Sequence, residues 1–361
     1  MTRRRQAERR SRLATGGLVG CLALGMGLAG CAAESQDFAE DDQVVTVFGP
    51  WRDEAATHFR EALSAFEERT GLDVVYSGSG SFSTDVARRL RDGLTPDVIM
   101  FPQPGTMLSL AEDGFLVPVR DDVRASAEAS HRPAVREAAE QLTEATGVLY
   151  QLNVKSLVWY PPAVFAEAGY AVPASWSELE ALTARIQADG STPWCMGVES
   201  FSASGWPATD WVEDLLLRSA TLEEYDAWTR GDLPFTDPLL GDALTDFESL
   251  VLEPGRVVGG RRGVLNTPAT QAQQPMFDSP AGCLLYRQAS FASDALEDGT
   301  VIGPDGVTDV FVLPSRTDDD PPLLVGGTFA APATDRPETW ALMDYLASPE
   351  GSQTWVERGG F

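Results

Sequence analysis

From Val44 onward the apolar positions alternate between two rhythms. Val44-Val45-Thr46-Val47-Phe48 is a short run of buried-strand character that passes through Gly49-Pro50-Trp51 into a different pattern, in which Ala55, Phe59, Ala62, Leu63 and Phe66 recur at three- and four-residue intervals. That spacing places them on one face of a helix from about Asp53 to Thr70. Gly71 follows in the position where a left-handed residue ends a helix. Leu72 to Tyr76 predicts a second strand, Ser77 to Ser83 a Gly/Ser loop, Thr84 to Leu94 a second amphipathic helix, and Pro96 to Phe101 a third strand. Strand, loop and helix repeated at this short spacing point to a parallel sheet covered by helices. Ligands of such sheets sit at the carboxyl ends of the strands, here Gly49 to Trp51, Ser77 to Ser83 and Pro102 to Gly105.

Further along, the apolar, β-rich runs Val148 to Leu152 and Ser156 to Tyr160, stopped by Pro161-Pro162, have the character of segments crossing between two lobes. Ser175 with Glu178 forms a capping-box pattern for a helix carrying Leu179, Leu182 and Ile186, which Asp189-Gly190 ends. Thr209 to about Leu252 reads as helical with breaks at Gly231 to Pro238. Gly255 to Thr270 reads as a loop without period, and Pro337 to Ala347 as a further helix. No tandem repeat is present. A chain of 361 residues with 43% hydrophobic content, nine Trp and sixteen Phe can fill two cores.

The stretch Pro193 to Trp211, PWCMGVESFSASGWPATDW, gathers three of the nine tryptophans with Glu199, Asp210 and a run of serines. A loop feeding a helix at Thr209 would present backbone N–H groups, hydroxyls and the two carboxylates beside the flat face of Trp206. That combination suits a polyhydroxylated ligand, with planar faces for C–H patches and carboxylates or amides for hydroxyls. Trp206, between Gly205 and Pro207, is expected at the surface; for Trp211, followed by VEDLLL, the core and the binding wall both remain open.

Charge and cysteines add a location. Arg3 to Arg12 is basic, Leu13 to Ala29 is apolar, and Leu28-Ala29-Gly30-Cys31 looks like the lipobox of a bacterial lipoprotein. Residues 1–30 are therefore expected to be a signal peptide, Cys31 to carry the lipid (palmitate among its acyl chains), and 31–43 to be an acidic tether. An uncleaved anchor helix would give the same topology, and Arg9-Arg10-Ser11-Arg12-Leu13 faintly resembles a twin-arginine export motif. Removing the leader's six Arg and one Glu leaves 21 basic against 53 acidic residues, near −32. Nucleic acid and phosphate-rich ligands are disfavoured by that field. Lys155 is the sole lysine. With Cys21 in the leader and Cys31 lipidated, Cys195 and Cys283 remain, and an oxidising compartment favours their pairing, two free buried thiols being the alternative.

Catalytic patterns are thin. His58, at an exposed-looking helix position, and His131, beside Arg132-Pro133, sit apart from any cluster with metal-ligand spacing. No G-x-S-x-G elbow, P-loop or dinucleotide fingerprint occurs, and neither cofactor nor metal is expected. Paired carboxylates of a glycoside hydrolase remain a distant alternative.

The run EERTGLDVVYSGSGSF, TPDVIMFPQPG, LAEDGFLVPV, together with KSLVWYPPAVFAEAGYAVPASWSELEAL, GWPATDW and CLLYRQASF, resembles the extracellular solute-binding proteins that deliver sugars to ABC importers, in particular the alpha-glucoside-binding branch. The resemblance implies a two-lobed α/β fold, each lobe a mainly parallel sheet flanked by helices, with the ligand cleft between them. Lobe 1 would comprise 44–155 and 314–361, and lobe 2 would comprise 156–313, the chain crossing back near Phe311-Val312-Leu313-Pro314. It implies a binding receptor rather than an enzyme, monomeric, anchored on the extracytoplasmic face of the cell membrane and partnered by permease subunits. Closure would be a hinge movement driven by contacts complete only in the closed form. Trp51 and Gln103 would contribute from lobe 1, and Glu199, Trp206, Asp210 and Arg287 from lobe 2, the two tryptophans stacking and the polar four binding hydroxyls. Relatives of this kind continue beyond a SQTWVERGGF-like phrase into helices returning to lobe 2, so a truncated second lobe is an expectation as well. A polyamine or peptide ligand on the same fold is the nearer alternative.

Overall fold

The computed structural model describes residues 42–143, 146–297, 299–316 and 321–358, all within the compact unit Phe38–Phe361. The expected leader, Cys31 and the tether as far as Asp41 lie outside the described residues. So do Gly359, Gly360 and Phe361.

The chain opens with β1 (Val44–Gly49), α1 (Asp53–Thr70), β2 (Asp73–Gly78), α2 (Phe82–Arg91), β3 (Val98–Phe101), α3 (Pro104–Glu112), α4 (Asp121–Ser130), α5 (Pro133–Thr143) and β4 (Val148–Val154). It continues through β5 (Leu157–Tyr160), α6 (Pro162–Ala168), α7 (Trp176–Ala188), α8 (Trp206–Ser219), α9 (Leu222–Thr229), α10 (Pro238–Phe247), α11 (Gly260–Asn266), β6 (Tyr286–Arg287) and β7 (Asp309–Val312). It closes with β8 (Val325–Pro332), α12 (Pro337–Ala347) and α13 (Glu350–Arg358).

Two sheets result, ordered β2-β1-β3-β8-β4 and β6-β5-β7. In the first, β1 runs parallel to β2 and β3, and β8 is antiparallel to both β3 and β4. Alternate residues of β3 enter opposite cores: Val98 and Met100 pack with Phe59, Phe66 and Trp355, while Ile99 and Phe101 pack with Phe82, Met107 and Phe329. Coverage on both faces is why the strand reads as an unbroken apolar run. The second lobe departs from the expected parallel sheet. Its ladders of β5 with β6 and β7 are antiparallel, and among the described residues parallel pairing there is confined to bridges such as those of Trp194 with Val257 and Leu285.

Local signals account for most boundaries. Gly71 ends α1 at φ 74. Ser175 caps α7 by accepting from Glu178 N, but the Glu178 carboxylate reaches Ala174 N, so the reciprocal half of the expected box is displaced by one residue. The complete capping box lies instead at Thr221 and Glu224, at the head of α9. α8 begins at Trp206, not Thr209: Gly205 enters at φ 105 and Pro207 occupies the first turn, where a missing N–H costs nothing. The stretch Gly255 to Thr270, expected to be a loop, contains α11.

Cys195 and Cys283, 88 positions apart in sequence, form a disulfide with Cα atoms 5.4 Å apart. Both are buried, beside Trp159, Met276 and Tyr286. Among the described residues no helix is long and apolar enough to cross a membrane.

Candidate functional site

The carboxyl ends of β1, β2 and β3 point to one end of the first sheet, and β4, antiparallel to β8, exits at that same end. Two glycines shape this end. Gly49 and Gly78 are register partners closing β1 and β2; a Cβ on Gly78 would lie 1.9 Å from Trp51 O, and one on Gly49 2.9 Å from Tyr76 Oη. Their lack of side chains lets the loop after β1 fold across the sheet end, where Tyr76 Oη donates to Trp51 O at 3.0 Å. The half-buried Trp51 ring is then fixed among aromatic neighbours, with centroids 4.7 Å from Phe59, 6.0 Å from Tyr150 and 5.1 Å from Trp355. Gln103 stands exposed at the same sheet end, immediately before α3.

Facing this end, the second lobe presents the segment 199–210. Glu199 Oε1 accepts from Phe201 N at 3.0 Å, and Ser204 Oγ accepts from Ser200 N and donates to Phe201 O. These bonds hold Phe201 at φ 50, a conformation that costs a non-glycine residue about 1–2 kcal/mol. Its exposed ring reaches the first lobe, lying 5.0 Å from the Arg52 guanidinium and so close to Gly80 that a Cβ there would be 2.7 Å away. The half-buried Trp206 ring opens α8, 5.9 Å from Phe291. One turn later Asp210, 6% exposed, accepts from Lys155 Nζ through Oδ1 at 2.9 Å, while its Oδ2 is buried without a hydrogen-bond partner.

Glu199, Trp206 and Asp210 thus share the segment of the second lobe whose Phe201 reaches the first, while Trp51 and Gln103 lie at the sheet end of the first lobe. Arg287 is turned elsewhere. It is 3% exposed and donates from Nε and Nη2 to Asp214 Oδ2, at 3.2 and 2.9 Å. Trp211 is 2% exposed and packs edge-on against Trp194, which settles it as core.

Beneath the wall, α8 grips both segments that connect the sheets. Asp214 Oδ1 accepts from Ser156 Oγ (2.9 Å) and Arg218 Nη2 (2.7 Å), and Arg218 also donates to Leu313 O and Pro322 O. Ser156 Oγ accepts from Leu324 N at 2.8 Å, and Lys155 N donates to Leu324 O at 2.7 Å. Buried charge of this kind is tolerable only because every member is paired. Many of these partners lie beyond the reach of any sequence window, 55 positions apart for Lys155–Asp210, 104 for Arg218–Pro322 and 168 for Ser156–Leu324.

A second contact joins the lobes at Ser290–Ala295, a 3-10 segment. Asp294 Oδ1 accepts from Trp355 Nε1 at 3.2 Å and lies 3.6 Å from His58 Nδ1. Burial pushes the Asp294 carboxyl up to about 6, against the opposing pull of Trp355 and His58. His58, expected to be exposed on α1, is 5% exposed, because the turn of α1 that carries it faces Trp355 and this segment. Lys155, Phe201, Phe291 and Asp294 were not singled out as site residues; the one available signal was that Lys155 is the sole lysine in the chain. Among the described residues no group of three or more His, Cys, Asp or Glu could hold a metal ion.

Known proteins share this architecture. The family model of the bacterial extracellular solute-binding proteins matches residues 50–353. The alpha-glucosides-binding periplasmic protein AglE of Rhizobium meliloti (strain 1021) is 37% identical over 329 residues, covering 88% of this chain and 71% of AglE. The osmoprotective compounds-binding protein GgtB of Synechocystis sp. is 37% identical over 337 residues, covering 92% of this chain and 79% of GgtB. Among solved structures, the bacterial solute receptor AcbH superposes with a TM-score of 0.73 at 18% identity, covering 87% of this chain and 78% of AcbH. RafE in complex with raffinose gives 0.67 at 18%, covering 87% and 80%. These last two speak for the fold alone. Two lobes joined by connecting segments, 37% identity to two curated relatives and a family match spanning both lobes lead to one conclusion: the chain belongs to the bacterial extracellular solute-binding protein family.

Proposed function

We propose that this receptor takes up a neutral sugar, an alpha-linked glucoside of about two units, and delivers it to an ABC importer. The observation that carries the reading is the start of α8, where a half-buried tryptophan ring stands one turn from a carboxylate oxygen that is buried and unpartnered. A pyranose stacked on Trp206 places its hydroxyls at the ring's edge, within the span of Asp210, Glu199 and, from the first lobe, Gln103 and Trp51. The name of AglE is in keeping with it, as is a net charge of −27 for the whole chain, which disfavours anions. Arg287 serves this wall from beneath, by fixing Asp214.

The reading includes the location. Cys31, lipidated, anchors a monomer to the extracytoplasmic face of the cell membrane, where permease subunits collect the solute, and no covalent chemistry is performed. Isothermal titration of the purified receptor with maltose, trehalose and sucrose tests the ligand class, with spermidine and a dipeptide as opposing arms. Micromolar or tighter binding of one disaccharide is expected. Binding of spermidine or the dipeptide, with none of the three sugars, rejects the sugar reading and leaves the family.

A further inference from the structure

We propose that Lys155 is a positioning residue for the solute: from the segment joining the two sheets, its ammonium holds one oxygen of Asp210 and thereby presents the other to a ligand hydroxyl. This rests on the reading that Asp210 belongs to the solute site. Lys155 directly follows β4, and its backbone N–H is bonded to Leu324 of the returning segment. The side chain passes over β8 at Gly326, where a Cβ would lie 2.7 Å from Lys155 Cε. Its Nζ ends 2.9 Å from Asp210 Oδ1. The pair is largely enclosed, with side-chain exposures of 24% for Lys155 and 9% for Asp210.

The residue type matters. Of 27 basic residues this alone is lysine, and an ammonium is a point charge that can satisfy one carboxylate oxygen and leave the second free. A guanidinium is a fork that matches both oxygens at once. Arginine at position 155 would occupy the oxygen that the structure leaves without a partner. A buried acceptor with no bond is costly unless a partner arrives. The Asp210 carboxylate is therefore split in function, one oxygen for the crossing segment and one for the solute. The same helix grips Ser156, Leu313 and Pro322 through Asp214 and Arg218 one and two turns on. A hydroxyl bound at Asp210 consequently bears on the segments about which the lobes would rotate.

The experiment is titration calorimetry of the native receptor with maltose, trehalose and sucrose, then of Lys155→Met, Lys155→Arg, Asp210→Asn and the Lys155→Met/Asp210→Asn pair with the sugar bound most tightly. Thermal unfolding of each variant is recorded alongside. Both Lys155 variants should bind at least roughly tenfold more weakly, with arginine no better than methionine despite its charge. The double variant should bind no more weakly than Asp210→Asn alone, since the lysine acts only through that carboxylate. Arginine binding as tightly as the native lysine, a double variant whose losses add, or affinity lost only in step with unfolding temperature would overturn the assignment. Asp210→Asn binding as the native chain does, or a native chain that binds none of the three sugars, would instead remove the solute reading on which it rests.

Discussion

Trp206 and Trp211 are five positions apart on one helix, and substituting each by alanine separates ligand wall from core. Trp211 is 2% exposed, with its ring 5.1 Å from Trp194, 5.9 Å from Phe247 and the Arg287 guanidinium 5.7 Å above it. Truncating such a side chain removes its burial and leaves a cavity, at a cost of ~3–5 kcal/mol of stability. Trp206 is half-buried, and its one aromatic neighbour among the described residues is Phe291 at 5.9 Å. Loss of that ring pair costs about 1 kcal/mol of stability, whereas loss of a stacking anchor costs ~2 kcal/mol or more of binding, roughly thirtyfold in affinity. Trp206→Ala should thus shift the unfolding temperature by only ~2 °C while affinity for the bound disaccharide falls at least tenfold. Trp211→Ala should do the converse, unfolding several degrees lower yet binding within a few-fold below its transition. Calorimetric titration and denaturant unfolding on the same preparations measure both. If Trp206→Ala destabilises as much as Trp211→Ala and leaves affinity within threefold, the ring belongs to the core and the stacking argument is refuted.

The disulfide closes a loop of 88 residues, for which loop-closure entropy gives about 4–5 kcal/mol. A Cys195→Ala/Cys283→Ala protein should lose stability on that order in urea, and a soluble form beginning after Cys31 should show no reactive thiol when unfolded without reductant; two thiols per chain would contradict the bridge. Asp294 has its carboxyl raised from 3.8 to about 6, first by burial, so its neutral form is favoured by folding: the contribution is present below about pH 4 and lost as pH rises through about 6. Asp294→Asn should therefore raise the unfolding temperature near pH 7.5, by up to ~2–3 kcal/mol of stability, and flatten its pH dependence between those values. An unchanged slope, or a less stable variant at the higher pH, would count against it. Cys31→Ser should leave the precursor uncleaved or release the protein from membranes, and mass spectrometry showing a mature N-terminus far from an unmodified Cys31 would rule the anchor out.

What the sequence determined by itself was whatever is written within a turn or a strand of chain. α1 follows from the spacing of Phe59, Ala62, Leu63 and Phe66 and from Gly71 at its end, and β3 from an apolar run long enough to be covered on both faces. The bridge between Cys195 and Cys283 followed from setting two other cysteines aside, and the motifs scattered along both lobes sufficed for the family. Helix starts were less secure: Pro207 looked like a loop residue, yet a proline in a first turn marks a beginning, so Trp206 sits on α8 rather than before it. Tertiary structure alone decided which polar side chains are consumed by internal partners. Asp210, Asp214 and Arg218 are equally legible as one charged helix face, and nothing local says that the first keeps a free oxygen while the others are consumed by Ser156, Arg287 and the connecting segments. His58 looked solvated on its own helix and became buried only when Trp355 and Asp294 arrived from elsewhere in the chain. The reason is one of range: periodicity, caps and glycine conformations act over a few residues, whereas the pairing of a charge depends on which distant segments the two crossings between the sheets bring alongside it.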